Sequence, residues 1–389
     1  MLDIRVLSPL TLLALAMACS SNDTPTSASG GTSGEIGGAT NSMGGSVATG
    51  TTHGAGGKAA GSTSGAGGKA SATSGDTNAG GATNATGGRS TVTVGGATFG
   101  GSGGVGGSLA GLDRGILGIY CGNVAADVTQ FETWLGRPVE GILGYTGNAD
   151  WSDYDGSVGW AVDNWKVLDR RVLWSVPLIP NGATLAAAAL GTYDDHYRKA
   201  AQTLSNYRPQ EAVLYVRTGW EFNGDWFPWS AQGKASEFAG AFQHFATVFR
   251  SVSKRFRIEW NVNVGDVGMN PEDAYPGDAY VDIIGMDFYW NTQWDPADPL
   301  QAWDFMLTRK YGLKWHQDFA KAHGKPTAYS EWGMMSDNGA AYIQEAKNWF
   351  DSHDVVYQTY WNADNDFKGK LSSGQYPNAG AAYRQAFGP

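Results

Sequence analysis

From Gly115 onward, short runs of β-branched, aromatic and other apolar residues recur eight times, each followed by a longer stretch patterned for a helix. The runs are 115–120 (GILGIY), 140–145 (EGILGY), 172–178 (VLWSVPL), 213–221 (VLYVRTGWE), 257–263 (RIEWNVN), 281–289 (VDIIGMDFY), 326–331 (PTAYSE) and 355–361 (VVYQTYW). The clearest helix is 234–254, where Phe238, Phe242, Phe245, Phe249 and Val252 are spaced four, three, four and three apart and so form one apolar face. The segment 300–323 reads as another helix, stopped by Gly324 with Pro326 soon after. Strands alternating with helices imply parallel βαβ units, and eight of them in this length predict an α/β fold of the (β/α)8 TIM-barrel type. A doubly wound open sheet would carry a glycine-rich phosphate loop after its first strand. Here that position reads Tyr120-Cys121-Gly122-Asn123, which has no such pattern.

Composition separates this region from what precedes it. Residues 21–110 hold 28 of the 56 glycines but a single aromatic residue, Phe99, whereas all 16 tryptophans lie in 111–389. Segment 20–110 is a Gly/Ser/Thr/Ala linker with too little apolar surface to offset the entropy of ordering, and it predicts a disordered tether with an end-to-end distance of roughly 50 Å. Residues 1–19 read as a signal peptide. The apolar run Leu10 to Ala18 is too short to span a bilayer, and it ends at Ala18-Cys19-Ser20. This resembles a bacterial lipoprotein signal, which implies lipidation of Cys19 and a protein exported to the cell surface or outer membrane, or secreted, touching a membrane only through that anchor. Cys121 then has no disulfide partner and reads as a small buried thiol. The net charge of −10 argues against a nucleic-acid partner.

In a barrel of this kind the chemistry sits at the C-terminal ends of the strands. Strand four ends at Arg217-Thr-Gly-Trp220-Glu221-Phe-Asn223-Gly-Asp-Trp226, and strand seven at Tyr329-Ser-Glu331-Trp332. Each ends in a glutamate beside tryptophan, and both strands face one barrel mouth. Two carboxyl groups on one cleft suit glycoside hydrolysis, in which one protonates the leaving oxygen and the other attacks the anomeric carbon or activates water. A separation of about 5–5.5 Å gives retention and about 6.5–9.5 Å inversion. Sugar rings present apolar C–H faces, so aromatic rings at strand ends are expected to line the cleft: Trp226, Trp229, Trp290, Trp332 and Trp361, with Trp151, Tyr154 and Trp294 as ordinary packing or lining. Asp287 is read either as an orienting group or as a buried structural acid. The six histidines are away from strand ends and read as surface residues. Neither a cofactor nor a metal is called for by this chemistry.

The segment RTGWEFNGDWFPW, together with SEWG and a tryptophan ending strand eight, resembles the retaining β-glycanases of glycoside hydrolase clan A, and among them is most similar to family 26, the β-mannanase family. That resemblance covers 111–389 as the catalytic domain. It implies Glu221 as acid/base, Glu331 as nucleophile, Arg217 and Trp226 as companions in the strand-four motif, Tyr289 as a hydrogen-bond donor to the nucleophile, and Trp361 as a sugar platform. The chain departs from the family at Trp220, where family 26 usually has histidine; Asn223, Asn261 or Asn263 is expected to supply the polar contact that histidine would make, and the sequence does not choose among them. The expectation is a monomeric retaining endo-β-glycanase acting on a polysaccharide, β-1,4-mannan first. A non-catalytic carbohydrate-binding barrel stays open beside it, as does a glycosidase or transglycosylase for another glycan such as β-glucan, xylan or a bacterial envelope polymer.

Overall fold

The computed structural model describes residues 111–389; the leader, Cys19 and the linker 20–110 lie outside the described residues. Eight parallel strands close into a barrel in sequence order, with β1 beside β8. They are β1 (Ile116–Tyr120), β2 (Gly141–Tyr145), β3 (Arg171–Ser175), β4 (Leu214–Arg217), β5 (Phe256–Asn263), β6 (Ile283–Trp290), β7 (Thr327–Met334) and β8 (Val355–Trp361). Around them run α1 (Ala125–Leu135), α2 (Trp151–Trp165), α3 (Leu185–Ala189), α4 (Asp194–Tyr207), α5 (Ala235–Val252), α6 (Pro299–Thr308), α7 (Leu313–Ala322), α8 (Ala340–Ser352) and α9 (Pro377–Phe387). The expected TIM barrel is the observed fold.

Because strand side chains alternate, every strand is apolar on two counts: one set fills the barrel and the other meets the helices. In β3 the outward Trp174 packs on Tyr207 of α4, with ring centroids 5.8 Å apart. In β5 the outward Trp260 lies 5.5 Å from Phe319 of α7. Helix α5 buries Phe238, Phe242, Phe245 and Phe249, the face that its spacing predicts.

Three expectations change. The predicted helix 300–323 is two helices, α6 and α7. The chain breaks between them at Tyr311, whose φ of 56° is left-handed, and at Gly312, where a Cβ would sit 2.5 Å from the Met306 carbonyl oxygen. Strand four stops at Arg217, so Glu221 stands on a turn beyond the sheet. His316 is not a surface histidine: it is buried on α7, its Nε2 lies 3.0 Å from the Ile284 carbonyl oxygen, and burial pushes its pKa down to about 3, which keeps it neutral.

One irregularity aims the site. Between β6 and β7 the pairing runs Gly285 to Ala328 and then Asp287 to Glu331, so β7 carries one extra residue. This is a β-bulge. It turns Ser330 and Glu331 both toward the barrel axis, while Tyr329 and Trp332 on either side pack outward on Phe350 of α8.

Candidate active site

The last inward residues of the strands gather at one end of the barrel: Tyr145 from β2, Ser175 from β3, Arg217 from β4, Asn263 from β5, Asp287 and Tyr289 from β6, and Glu331 from β7. At their centre lies Arg217, 1 % exposed. Its guanidinium donates to Ser175 Oγ at 2.7 Å, to Asp287 Oδ2 at 2.7 Å, to the Tyr145 hydroxyl and to Glu331 Oε1. Burial alone would weaken its hold on the proton. Asp287, Tyr145 and Glu331 reverse that and keep it charged.

Glu331 is buried and receives donors on both oxygens. Oε1 takes Arg217 and the Tyr145 hydroxyl; Oε2 takes the Tyr289 hydroxyl at 2.5 Å. Both phenols sit well above the usual tyrosine range, chiefly through burial, so both remain protonated and can donate.

Glu221 has different surroundings. Its φ is 52°, a left-handed backbone uncommon for a residue with a Cβ. The strain is held by the turn: its N–H donates to the Asn261 carbonyl oxygen at 3.1 Å, and its own carbonyl oxygen accepts from Gly224 N at 3.0 Å. The carboxyl is buried and has no ion-pair partner among the described residues. It accepts from Asn263 Nδ2 on Oε1 and from the Trp226 indole on Oε2, each at 2.8 Å. Burial, and then the nearby Glu331 charge, raise its pKa to about 7; the two hydrogen bonds and Arg217 oppose this and lose. Glu221 and Glu331 therefore lie close enough to feel each other at one end of the barrel.

A second polar layer lies deeper in the barrel. Asn261 Nδ2 bridges Asp287 Oδ1 at 2.9 Å and Glu259 Oε1 at 3.0 Å. Glu259 also accepts from Ser330 Oγ at 2.5 Å and from the Tyr357 hydroxyl. Both acids are fully buried and are raised by that burial, Asp287 well above the ordinary range. Room for Glu259 comes from Gly285, where a Cβ would meet Glu259 Oε1 at 1.8 Å. Gly285→Ala is expected to cost about 1–3 kcal/mol, because its neighbour is tied down by three donors and cannot give. Gly156→Ala in α2, where nothing lies within 4 Å of the new methyl, should be neutral or stabilising, and thermal unfolding of both variants checks the contrast.

The residues expected from sequence divide into three groups. Glu221, Glu331, Arg217, Trp226, Tyr289 and Trp220 come together at the cleft. Asn223 and Asn261 are fully buried and serve as supports. Asn223 clamps Asn263 through both backbone groups, donating to its carbonyl oxygen and accepting from its N–H, each at 2.8 Å. Trp229, Trp290 and Trp332 are corrections: all three are fully buried, with no ring face left open to line a cleft. Trp229 donates to the Trp220 carbonyl oxygen at 2.7 Å; Trp290 stacks on Tyr342 of α8 at 4.9 Å. Trp332 points outward because it follows the inward Glu331. Trp361 does face inward, but Tyr120 covers its ring at 4.0 Å and leaves it 1 % exposed, a wall more than an open platform. Trp151 stacks on His196 outside the barrel, Tyr154 is buried in α2, and Trp294 is exposed. Cys121 is buried, and its thiol is pushed up to about 12 by that burial. Sequence reasoning missed Tyr145 and passed over Glu259; asking for the last inward residue of every predicted strand would have found the first.

Residues 186–372 match the family model described as glycosyl hydrolase family 26. The chain is 31 % identical over 214 residues to Endoglucanase H of Acetivibrio thermocellus, an alignment that takes in 51 % of this chain and 22 % of that protein. It is 27 % identical over 149 residues to a mannan endo-1,4-β-mannosidase of Bacillus subtilis, covering 36 % of each. The chain thus spans about a fifth of the first relative and about a third of the second. Among solved structures, the catalytic domain of the endo-β-1,4-mannanase of Bacillus sp. JAMB-750 superposes with a TM-score of 0.52 at 17 % identity, covering 71 % of this chain and 87 % of that one. A modular endo-β-1,4-mannanase of Cellulomonas fimi gives 0.53 at 15 % identity, over 69 % and 71 %. These two likenesses speak for the barrel. The family match runs from before β4 through β8, so it takes in both glutamates with the strands that carry them, and it assigns this part of the chain to glycosyl hydrolase family 26.

Proposed function

We propose that this chain is a retaining endo-β-glycanase that hydrolyses a β-linked polysaccharide, β-1,4-mannan first. Glu221 acts as acid/base and Glu331 as nucleophile. The observation that carries this reading is the contrast between two carboxyls on one cleft. Glu221 has no ion-pair partner among the described residues and is raised to about 7, as a proton donor working near neutrality needs. Glu331 is set among a guanidinium and two phenol hydroxyls, a donor set that serves an anion. In the first step the Glu331 carboxylate bonds the anomeric carbon while the leaving oxygen takes the Glu221 proton. In the second, water attacks, its proton passes to Glu221, and Glu331 departs. A non-catalytic sugar-binding barrel would have no use for this pairing of environments.

β-Glucan is the second reading for substrate, favoured by the relative named an endoglucanase. Reducing-sugar release and product anomer from a panel of mannan, glucan, xylan and envelope polymers tests the proposal; no release from any of them refutes it. The leader and Cys19 support an exported, lipid-anchored place of action.

The pH profile follows from Glu221. Activity needs it protonated, so kcat/KM is expected to fall as pH rises through about 7. Trp226→Phe removes a donor to its ionised form. The neutral form then gains, and the basic limb should move up by as much as about one pH unit. A basic limb that moves down or stays in place in this variant contradicts the role given to Trp226.

A further inference from the structure

Tyr145 belongs to neither of the glutamate motifs, yet its hydroxyl touches the carboxyl of one of them. It ends β2, is 8 % exposed, and donates to Glu331 Oε1 while accepting from Arg217. Its backbone is clamped by Asn123, which accepts from Tyr145 N at 3.1 Å and donates to its carbonyl oxygen at 2.9 Å. Its ring is wedged edge-on between Tyr120 at 5.2 Å and Trp220 at 5.6 Å. The Arg217 guanidinium lies 5.2 Å from the ring centroids of both Tyr145 and Trp220. The phenol thus has one place to put its oxygen.

The two oxygens of Glu331 are unequal as a result. Among the described residues, Oε1 carries a cation and a phenol, while Oε2 carries Tyr289 alone. An oxygen with two strong donors in a dry site has its lone pairs engaged and its position fixed. We propose that Tyr145 is a positioning residue for the nucleophile: with Arg217 it anchors Oε1 of Glu331, so that Oε2 is the oxygen that bonds the anomeric carbon. This rests on the reading of Glu331 as nucleophile. When Oε2 donates its electron pair to the anomeric carbon, the glycosidic bond breaks and the leaving oxygen takes the proton of Glu221. Oε1 becomes the carbonyl oxygen of the glycosyl ester. When water displaces the ester, its proton goes to Glu221 and the returning negative charge falls on a carboxylate already met by Tyr145 and Arg217. Trp220 takes part by confinement: it is 2 % exposed, and its ring walls the phenol into place.

The test compares wild type and Tyr145→Phe on an activated aryl glycoside of whichever glycan the wild type hydrolyses. Such a leaving group needs no protonation, so the rate reports the nucleophile. Phenylalanine keeps the ring contacts and removes one hydrogen bond to a charged group. The expected result is a loss of about 10- to 100-fold in kcat with KM changed by less than about 3-fold, and an acid limb of kcat/KM moved to higher pH. An unchanged kcat and acid limb in an active background overturns the role of Tyr145 alone; a wild type inert on every glycan overturns the functional reading and this proposal together. Should the phenylalanine variant melt early, 3,5-difluorotyrosine at position 145 keeps nearly the same shape and donates more strongly. It should move the acid limb down, and a limb that stays in place overturns the proposal.

Discussion

Glu331→Ala is expected to lower turnover of the responsive polysaccharide by at least about 10⁴-fold, since it removes the carboxylate proposed to form the glycosyl ester. The fold should survive the change. Arg217 keeps its 2.7 Å pairing with Asp287 Oδ2, and one buried carboxyl leaves a cluster that already holds Glu221, Asp287 and Glu259. The thermal midpoint is therefore expected to hold or rise while activity disappears. Azide added to this variant should restore turnover of an activated aryl glycoside by entering the vacated space, with a product of inverted anomeric configuration. Full activity in the alanine variant would remove Glu331 from the chemistry.

Arg217→Met should have the largest effect on stability. The guanidinium is the one cation placed among the buried carboxyls of the barrel axis in the described residues, and it donates to four partners there. Methionine fills similar length but leaves Asp287 and Glu331 buried without their cation, a loss of about 3–5 kcal/mol at neutral pH. The sign with pH follows. Without the cation, which opposes the burial that already raises Asp287, the folded-state pKa of Asp287 lies further above its unfolded value. The folded protein then prefers Asp287 protonated, so the deficit is small below about pH 4 and grows as pH rises. Urea unfolding at pH 4 and at pH 7.5 should show this divergence. An equal deficit at both would assign the effect to packing alone. Activity should fall with stability, because the anchor of Glu331 Oε1 is gone.

The barrel was legible because its signal repeats: eight apolar runs separated by helical faces, with most strand bounds within a residue or two of those read from the sequence. Strand four is the instructive exception. The run 213–221 is apolar enough to read as one strand, but Gly219 and Glu221 both take positive φ, and the chain leaves the sheet after Arg217. The split between α6 and α7 was hidden for a related reason, a single left-handed Tyr311 inside an otherwise helical pattern. The glutamates were legible from their strand ends. The tryptophans were not, because composition does not say which way a ring faces: Trp290 ends β6 as Trp361 ends β8, and Trp332 lies two residues before the end of β7, yet alternation sends Trp290 and Trp332 outward. The bulge in β7 could not be read at all, since it exists only in the pairing with β6.

The left-handed backbone at Glu221 bears on how this barrel would drift. A residue held at a φ of 52° is one that glycine would occupy at no steric cost. In a lineage released from selection for turnover, the codon for Glu221, the proposed proton donor, is where mutation meets least resistance from the scaffold. Descendants that keep Arg217 and Glu331 but carry glycine at 221 would be former enzymes with intact barrels, recognisable by that one replacement.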